Sequence, residues 1–245
     1  MPVRAKICGL STPETIDVAL RHGASHIGLV FFAPSPRNLD FGDAARLAAL
    51  IPPQVGRVGV FVDPDDALIA QAVASAALSV LQLHQVTPAR AAQIRAQTGL
   101  ETWAAIAVRE RADLAAAPTF VGAADRLLFD AKTPPGAALP GGMGVRFDWE
   151  LLRGFAHPLP WALSGGLNAT SAAEAVRITG AALVDASSGL ETAPGIKDVD
   201  KIAAFLKALS HLRTQHLSTH LTASGLSLMI AAISANLAAV MSPKR

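Results

Sequence analysis

Through residues 1–210 the chain repeats one arrangement: a short apolar run, a turn, then a stretch whose apolar positions recur at helical spacing. Eight such units follow one another without a break. The runs Val3–Cys8, Ser25–Phe31, Gly56–Val62, Ser79–Leu83, Thr102–Ala107, Arg126–Asp130, Pro160–Ser164 and Ala182–Ala186 are brief and rich in Val, Ile, Leu and Phe. That is the pattern of parallel strands covered on both faces. The intervening stretches have readable ends. A first helix is expected to begin at Ser11 or Thr12, with Pro13 in its first turn and Glu14 placed for a capping box from Ser11. The seventh begins near Ser171 and stops at Gly180, and the eighth sets Ile202, Phe205, Leu206 and Leu209 on one face. The fifth (Arg111–Ala117) and sixth (Asp148–Gly154) are short. Eight strand-helix units of this size point to an α/β fold, a single-domain (β/α)8 TIM barrel, with an open doubly wound sheet as the alternative because periodicity does not show closure.

Composition narrows the function. The 245 residues are 51% apolar and 16% charged, which excludes a disordered chain. Twenty-one Lys and Arg against nineteen Asp and Glu leave a net charge of +2, too small an excess to argue for nucleic acid. Cys8 is the single cysteine, and no Cys/His cluster has metal-site spacing. A cytoplasmic protein is expected, since the first ten residues lack the pattern of a secretory signal.

In such a barrel the active site is built at the C-terminal ends of the strands. Those ends carry Lys6-Ile7-Cys8-Gly9, Ser35-Pro36-Arg37, Gln82-Leu83-His84, Asp130-Ala131-Lys132, Ser164-Gly165-Gly166-Leu167-Asn168 and Ser187-Ser188-Gly189. Glycine turns let backbone N–H groups approach a phosphate, and the loops after strands 7 and 8 are a common place for one. Gly165, Gly166, Asn168, Ser187, Ser188 and Gly189 therefore make a candidate phosphate site, the alternative being plain tight turns. Cys8, ending its strand beside Gly9, can take a proton from carbon if nearby cations such as Lys6 lower its pKa; otherwise it is a small buried hydrophobe. Asp130 ends a strand of Leu127, Leu128 and Phe129, where desolvation would raise its pKa and fit it to deliver a proton. A helix cap or a salt bridge with Lys132 is the competing reading. Arg37, in a loop stiffened by Pro34 and Pro36, suits a carboxylate met by two parallel hydrogen bonds, unless it is an ordinary surface arginine. His84 stands at a strand end as a further candidate contact, the alternative being a histidine that only hydrogen-bonds a neighbouring loop.

These segments, with Gly59-Val60-Phe61-Val62, Gly141 to Gly144, Phe147-Asp148-Trp149 and Pro194-Gly195 with Lys197-Asp198, occur in the order seen in phosphoribosylanthranilate isomerase, which the chain resembles over residues 3–209. The resemblance implies a (β/α)8 enzyme of tryptophan biosynthesis. It would convert N-(5'-phosphoribosyl)anthranilate to 1-(2-carboxyphenylamino)-1-deoxyribulose 5-phosphate by an Amadori rearrangement, with neither metal nor organic cofactor. It also implies Cys8 as general base, Asp130 as general acid, Arg37 on the anthranilate carboxylate, and substrate contacts from His84, Gly142 and Gly144 and from loops 7 and 8. The implied partner is a small phosphorylated substrate, not nucleic acid, and the implied assembly is a monomer or homodimer.

The chain departs from the family pattern in three places. Gln85 stands where glycine is usual, which would narrow that loop; Met143 replaces a small polar residue; and residues 211–245 run past the expected barrel. From Thr214 to Pro243 there is no Lys, Arg, Asp or Glu. Leu226, Met229, Ile230, Ile233, Leu237 and Val240 form a helical stripe diluted by Ser224, Gly225, Ser227, Ser234 and Asn236. A helical tail packed on the barrel or at a subunit interface is expected there, ahead of a frayed tail or a membrane anchor. Among competing functions, the related histidine-pathway sugar isomerase uses an aspartate in place of Cys8, and indole-glycerol-phosphate synthase has an additional N-terminal segment. A non-catalytic scaffold would have no need of Cys8, Asp130 and Arg37 together.

Overall fold

In the computed structural model, which describes residues 2–134, 141–142 and 144–212, the strands close into one parallel barrel in chain order. They are β1 (Arg4–Cys8), β2 (His26–Phe31), β3 (Gly56–Val62), β4 (Val80–His84), β5 (Glu101–Val108), β6 (Arg126–Ala131), β7 (Trp161–Leu163) and β8 (Leu183–Ala186). The pairing of β1 with β8 (Arg4 with Leu183, Lys6 with Asp185) makes the closure. The open-sheet alternative is thereby excluded. A two-stranded antiparallel hairpin, β9 (Glu191–Ala193) and β10 (Ile196–Lys197), follows the barrel.

Side chains alternate between two cores, as a pleated strand dictates. One face packs outward against α1 (Pro13–Arg21), α2 (Phe41–Ala48), α3 (Asp66–Ala76), α4 (Pro88–Thr98), α5 (Ala172–Thr179) and α6 (Val199–Ser210); Ile7, Ile27, Phe61, Leu83, Phe129 and Val184 belong to this layer. The other face fills the barrel with Val30, Val58, Val60, Val80, Trp103, Leu128, Ala162 and Leu183. On β6 the alternation buries Leu127 and Phe129 under helices and turns Leu128 and then Asp130 inward. The apolar plug ends one step below the rim. Polar chemistry begins there.

The predicted α6 face is buried at all four positions, and Gly180 ends α5 in a left-handed conformation (φ 73°). α1 is capped by Thr12, whose Oγ1 accepts from the Thr15 N–H at 3.3 Å, so the box expected from Ser11 does not form. The two short units are 3-10 segments, Arg111–Phe120 and Trp149–Leu152. The first runs on through Pro118 and is held at its start by Asp113, which accepts from the N–H groups of Arg109 and Glu110. The expected helical tail beyond residue 212, and Met143, lie outside the described residues. Among the described residues no helix is long and apolar enough to cross a membrane.

Candidate active site

Lys6 and Cys8 are two residues apart on β1, so both enter the barrel. Lys6 is fully buried and its Nζ donates to Asp185 Oδ1 at 2.9 Å, the register partner on β8. Cys8 pairs in register with Gly28 of β2, where a Cβ would stand only 2.9 Å from the Cys8 sulfur. Glycine there gives the thiol its space.

Above these residues the strand ends surround a cleft of about 790 Å³, a volume that includes its open solvent mouth. Its wall includes Cys8, Arg37, Gln82, His84, Asp130 and Asp185. Cys8 and Asp130 reach it from opposite parts of the ring, with β7 and β8 between their strands. Loops 7 and 8 complete the rim with Ser164, Gly165, Gly166, Ser187 and Ser188. Gly165 and Gly166 have φ of 94° and 64°, a left-handed pair that side chains resist. A Cβ on Gly189 would meet the Leu167 carbonyl oxygen at 2.1 Å, so glycine is what lets the two loops touch.

Burial governs the electrostatics. It pushes the Asp130 carboxyl up to about 6, with Asp185 adding to the effect and the N–H of Ala131, donating to Oδ1 at 2.9 Å, opposing it. Burial also pushes the Cys8 thiol up, against the pull of Lys6, with Asp185 adding to the rise and Lys197 opposing it. Lys6 is disfavoured by burial, yet Asp185 and Cys8 outweigh that and hold it above the usual lysine range. Burial lowers His84 to about 4, so the imidazole is neutral near pH 7; its Nε2 lies 2.8 Å from Gln82 Nε2.

The family model of N-(5'-phosphoribosyl)anthranilate (PRA) isomerase matches residues 5–208. The chain belongs to the phosphoribosylanthranilate isomerase family. It is 56% identical over 211 residues to the Zymomonas mobilis subsp. mobilis isomerase, covering 85% of this chain and 99% of that one. With the Paramagnetospirillum magneticum isomerase it shares 53% over 209 residues, covering 85% and 97%. The crystal structure of the Thermotoga maritima isomerase superposes with a TM-score of 0.75 at 32% identity, over 86% of this chain and all (100%) of that one. A family structure in complex with reduced 1-(o-carboxyphenylamino)-1-deoxyribulose 5-phosphate gives 0.74 at 30% identity, with the same shares of 86% and 100%. The family is one of isomerases of tryptophan biosynthesis.

Within this family site the structure corrects several expectations. Cations do stand near Cys8, but burial outweighs them and the thiol rises instead of falling. Arg37 is a buried residue and not a surface one, and its two-bond fork is taken: Nε and Nη2 donate to Glu191 Oε1 and Oε2, each at 2.7 Å. The salt bridge weighed between Asp130 and Lys132 does not form, because Lys132 pairs with Asp113 at 2.7 Å. Asn168 turns away from the cleft wall, its Oδ1 accepting from the N–H groups of Thr170 and Ser171 ahead of α5. Gly189 also lies outside the wall and acts through loop contact. Gln85, expected to narrow its loop, takes a left-handed φ of 56° with its side chain exposed and outside the cleft wall. Gly142 and Gly144 line the cleft.

Asp185, Gln82 and Glu191 carry site geometry that sequence reasoning missed. The first two had a signal: a polar residue inside an apolar run, Gln82 two positions before His84 and Asp185 two positions before Ser187, and hence facing the same way as those rim residues. Glu191 had none, since its partner Arg37 is 154 positions away.

Proposed function

We propose that this chain isomerises N-(5'-phosphoribosyl)anthranilate to 1-(2-carboxyphenylamino)-1-deoxyribulose 5-phosphate, with Asp130 as general acid and Cys8 as general base. The observation that carries this reading is the placement of both groups on the wall of one cleft, from β6 and β1, between a glycine-rich phosphate rim and an arginine. Gly165, Gly166, Ser187 and Ser188 hold the phosphate. Arg37 receives the anthranilate carboxylate through Nη1, the one guanidinium nitrogen with no acceptor among the described residues. His84, Gly142 and Gly144 line the space between.

Asp130 in its protonated form donates to the furanose ring oxygen; the C1'–O bond breaks as the anilino nitrogen forms the Schiff base. The Cys8 thiolate removes the C2' proton, and the resulting enolamine tautomerises to the ketose. A carboxyl raised to about 6 is a competent donor near neutrality. The thiolate is the harder half: Lys6 and Lys197 favour it, burial disfavours it, and the reactive form is the one whose proton sits on Asp130 and not on Cys8. Residues 1–210 are the catalytic domain of this reading. A cytoplasmic monomer or homodimer fits it, the Thermotoga maritima relative being described as dimeric.

The test is the loss of anthranilate fluorescence when purified protein meets fresh phosphoribosylanthranilate. Cys8→Ala and Asp130→Asn should each cut kcat by about 100-fold or more, the scale of a lost acid or base. Near-normal turnover in either variant removes that residue from the mechanism.

A further inference from the structure

Arg37 has five N–H donors, and three of them find acceptors among the described residues. Nε and one Nη2 hydrogen go to the two oxygens of Glu191, and the second Nη2 hydrogen to the Gly142 carbonyl at 2.9 Å. The guanidinium plane is thus fixed, and Nη1 has no acceptor among the described residues. Glu191 is itself anchored. Lys197 Nζ pairs with its Oε1, the Gly195 N–H donates to Oε2 at 3.1 Å, and the backbone of Glu191 begins the short β9–β10 hairpin that brings Lys197 back. Lys197 also donates to the Ser187 carbonyl at 3.0 Å and to its Oγ at 3.2 Å, and Ser187 Oγ in turn donates to the Cys8 carbonyl at 3.2 Å. Glu191 and Lys197 side chains are 4% and 1% exposed, so these pairs stand out of water, where such bonds are strong and breaking them is costly.

Charge arithmetic explains why the lysine is present. A carboxylate paired bidentately with Arg37 would cancel the charge that the substrate carboxylate needs. Lys197 restores one positive charge in excess over the trio. We propose that Glu191 is a positioning residue for substrate recognition: it clamps Arg37 so that Nη1 alone faces the anthranilate carboxylate, and Lys197 keeps the clamp net positive. This rests on the reading that Arg37 receives that carboxylate.

The experiment compares phosphoribosylanthranilate with N-(5'-phosphoribosyl)aniline, the same molecule without its carboxylate, in the full-length wild type, Glu191→Gln, Lys197→Met and Arg37→Met, with product followed by chromatography. Glu191→Gln keeps the side-chain shape but weakens the clamp, and because it leaves the trio one charge more positive, a fall in affinity reads lost positioning of Nη1 and not lost charge. KM for the carboxylated substrate should rise by about tenfold or more, kcat should change by less than about threefold, and the aniline compound should be turned over as by the wild type. Lys197→Met should likewise erode the preference for the carboxylated substrate, through lost charge. If Arg37→Met abolishes that preference while both Glu191→Gln and Lys197→Met retain it, the clamp is refuted and the Arg37 reading stands. If Arg37→Met leaves the preference intact, the Arg37 reading fails and the clamp with it. An equal loss on both substrates, accompanied by a lowered unfolding temperature, reduces Glu191 to a structural residue and overturns the proposal. Glu191→Asp, whose shorter carboxylate retains the charge without the reach, should behave as Glu191→Gln; full recovery there contradicts the geometric part of the claim.

Discussion

A carboxyl group held out of water on a strand otherwise built from Leu127, Leu128 and Phe129 costs the fold stability whenever it ionises. For Asp130 the direction is clear: the folded state holds its proton up to about pH 6, and the unfolded chain releases it near 3.8. Below the lower value the group is neutral in both states and costs nothing; above about 6 the whole penalty is present, on the order of 3 kcal/mol. Asp130→Asn should therefore be more stable than the wild type by roughly that amount at pH 8 and no more stable at pH 3.5. Denaturant unfolding at the two pH values checks this, and a variant equally or less stable at pH 8 would show that the carboxylate is not strained. At this scale much was legible from sequence. A charge ending an apolar run announces desolvation, as Asp130 does. What could not be read was the outcome of competition, because Cys8 has the predicted cations beside it and is nonetheless governed by burial. Nor could Arg37's fork be assigned, since Glu191 is brought to it only by closure of the barrel.

Elements were read to within a residue or so at the strands because each apolar run is bounded by turn residues. Gly56–Val62 is met at both ends. The helical stretches with a continuous apolar stripe behave likewise, and all four predicted α6 positions are buried. The weaker units lacked a stripe long enough to form an α-helix. Tertiary packing leaves them as 3-10 segments, in which Leu114, Ala117 and Phe120 or Trp149 and Leu152 fill the gap against the barrel. The β4–α4 connection carries a local cost. Gln85 occupies a left-handed conformation that glycine enters freely. Gln85→Gly should raise the unfolding free energy by about 1 kcal/mol with kcat and KM unchanged, since the side chain is outside the cleft wall. Equilibrium unfolding together with steady-state kinetics checks both halves; an altered KM would mean that the loop shapes the site after all.

For the whole molecule, closure is the step that creates chemistry. Lys6 meets Asp185, Ser187 meets the Cys8 backbone, and Arg37 meets Glu191 only because β8 returns to β1. Eight repeated units implied this closure without proving it, as periodicity is local and the β1–β8 register is not. In the proposed mechanism the two proton-transfer groups act at successive steps on one substrate, and those steps are separable. Phosphoribosylanthranilate deuterated at C2' reports on the second step alone. Cys8→Ser, slowed at proton abstraction, should express a large primary isotope effect, whereas Asp130→Asn, slowed at ring opening, should show an effect near unity. The same isotope effect in both variants, or the reverse order, would contradict the assignment of base to Cys8 and acid to Asp130.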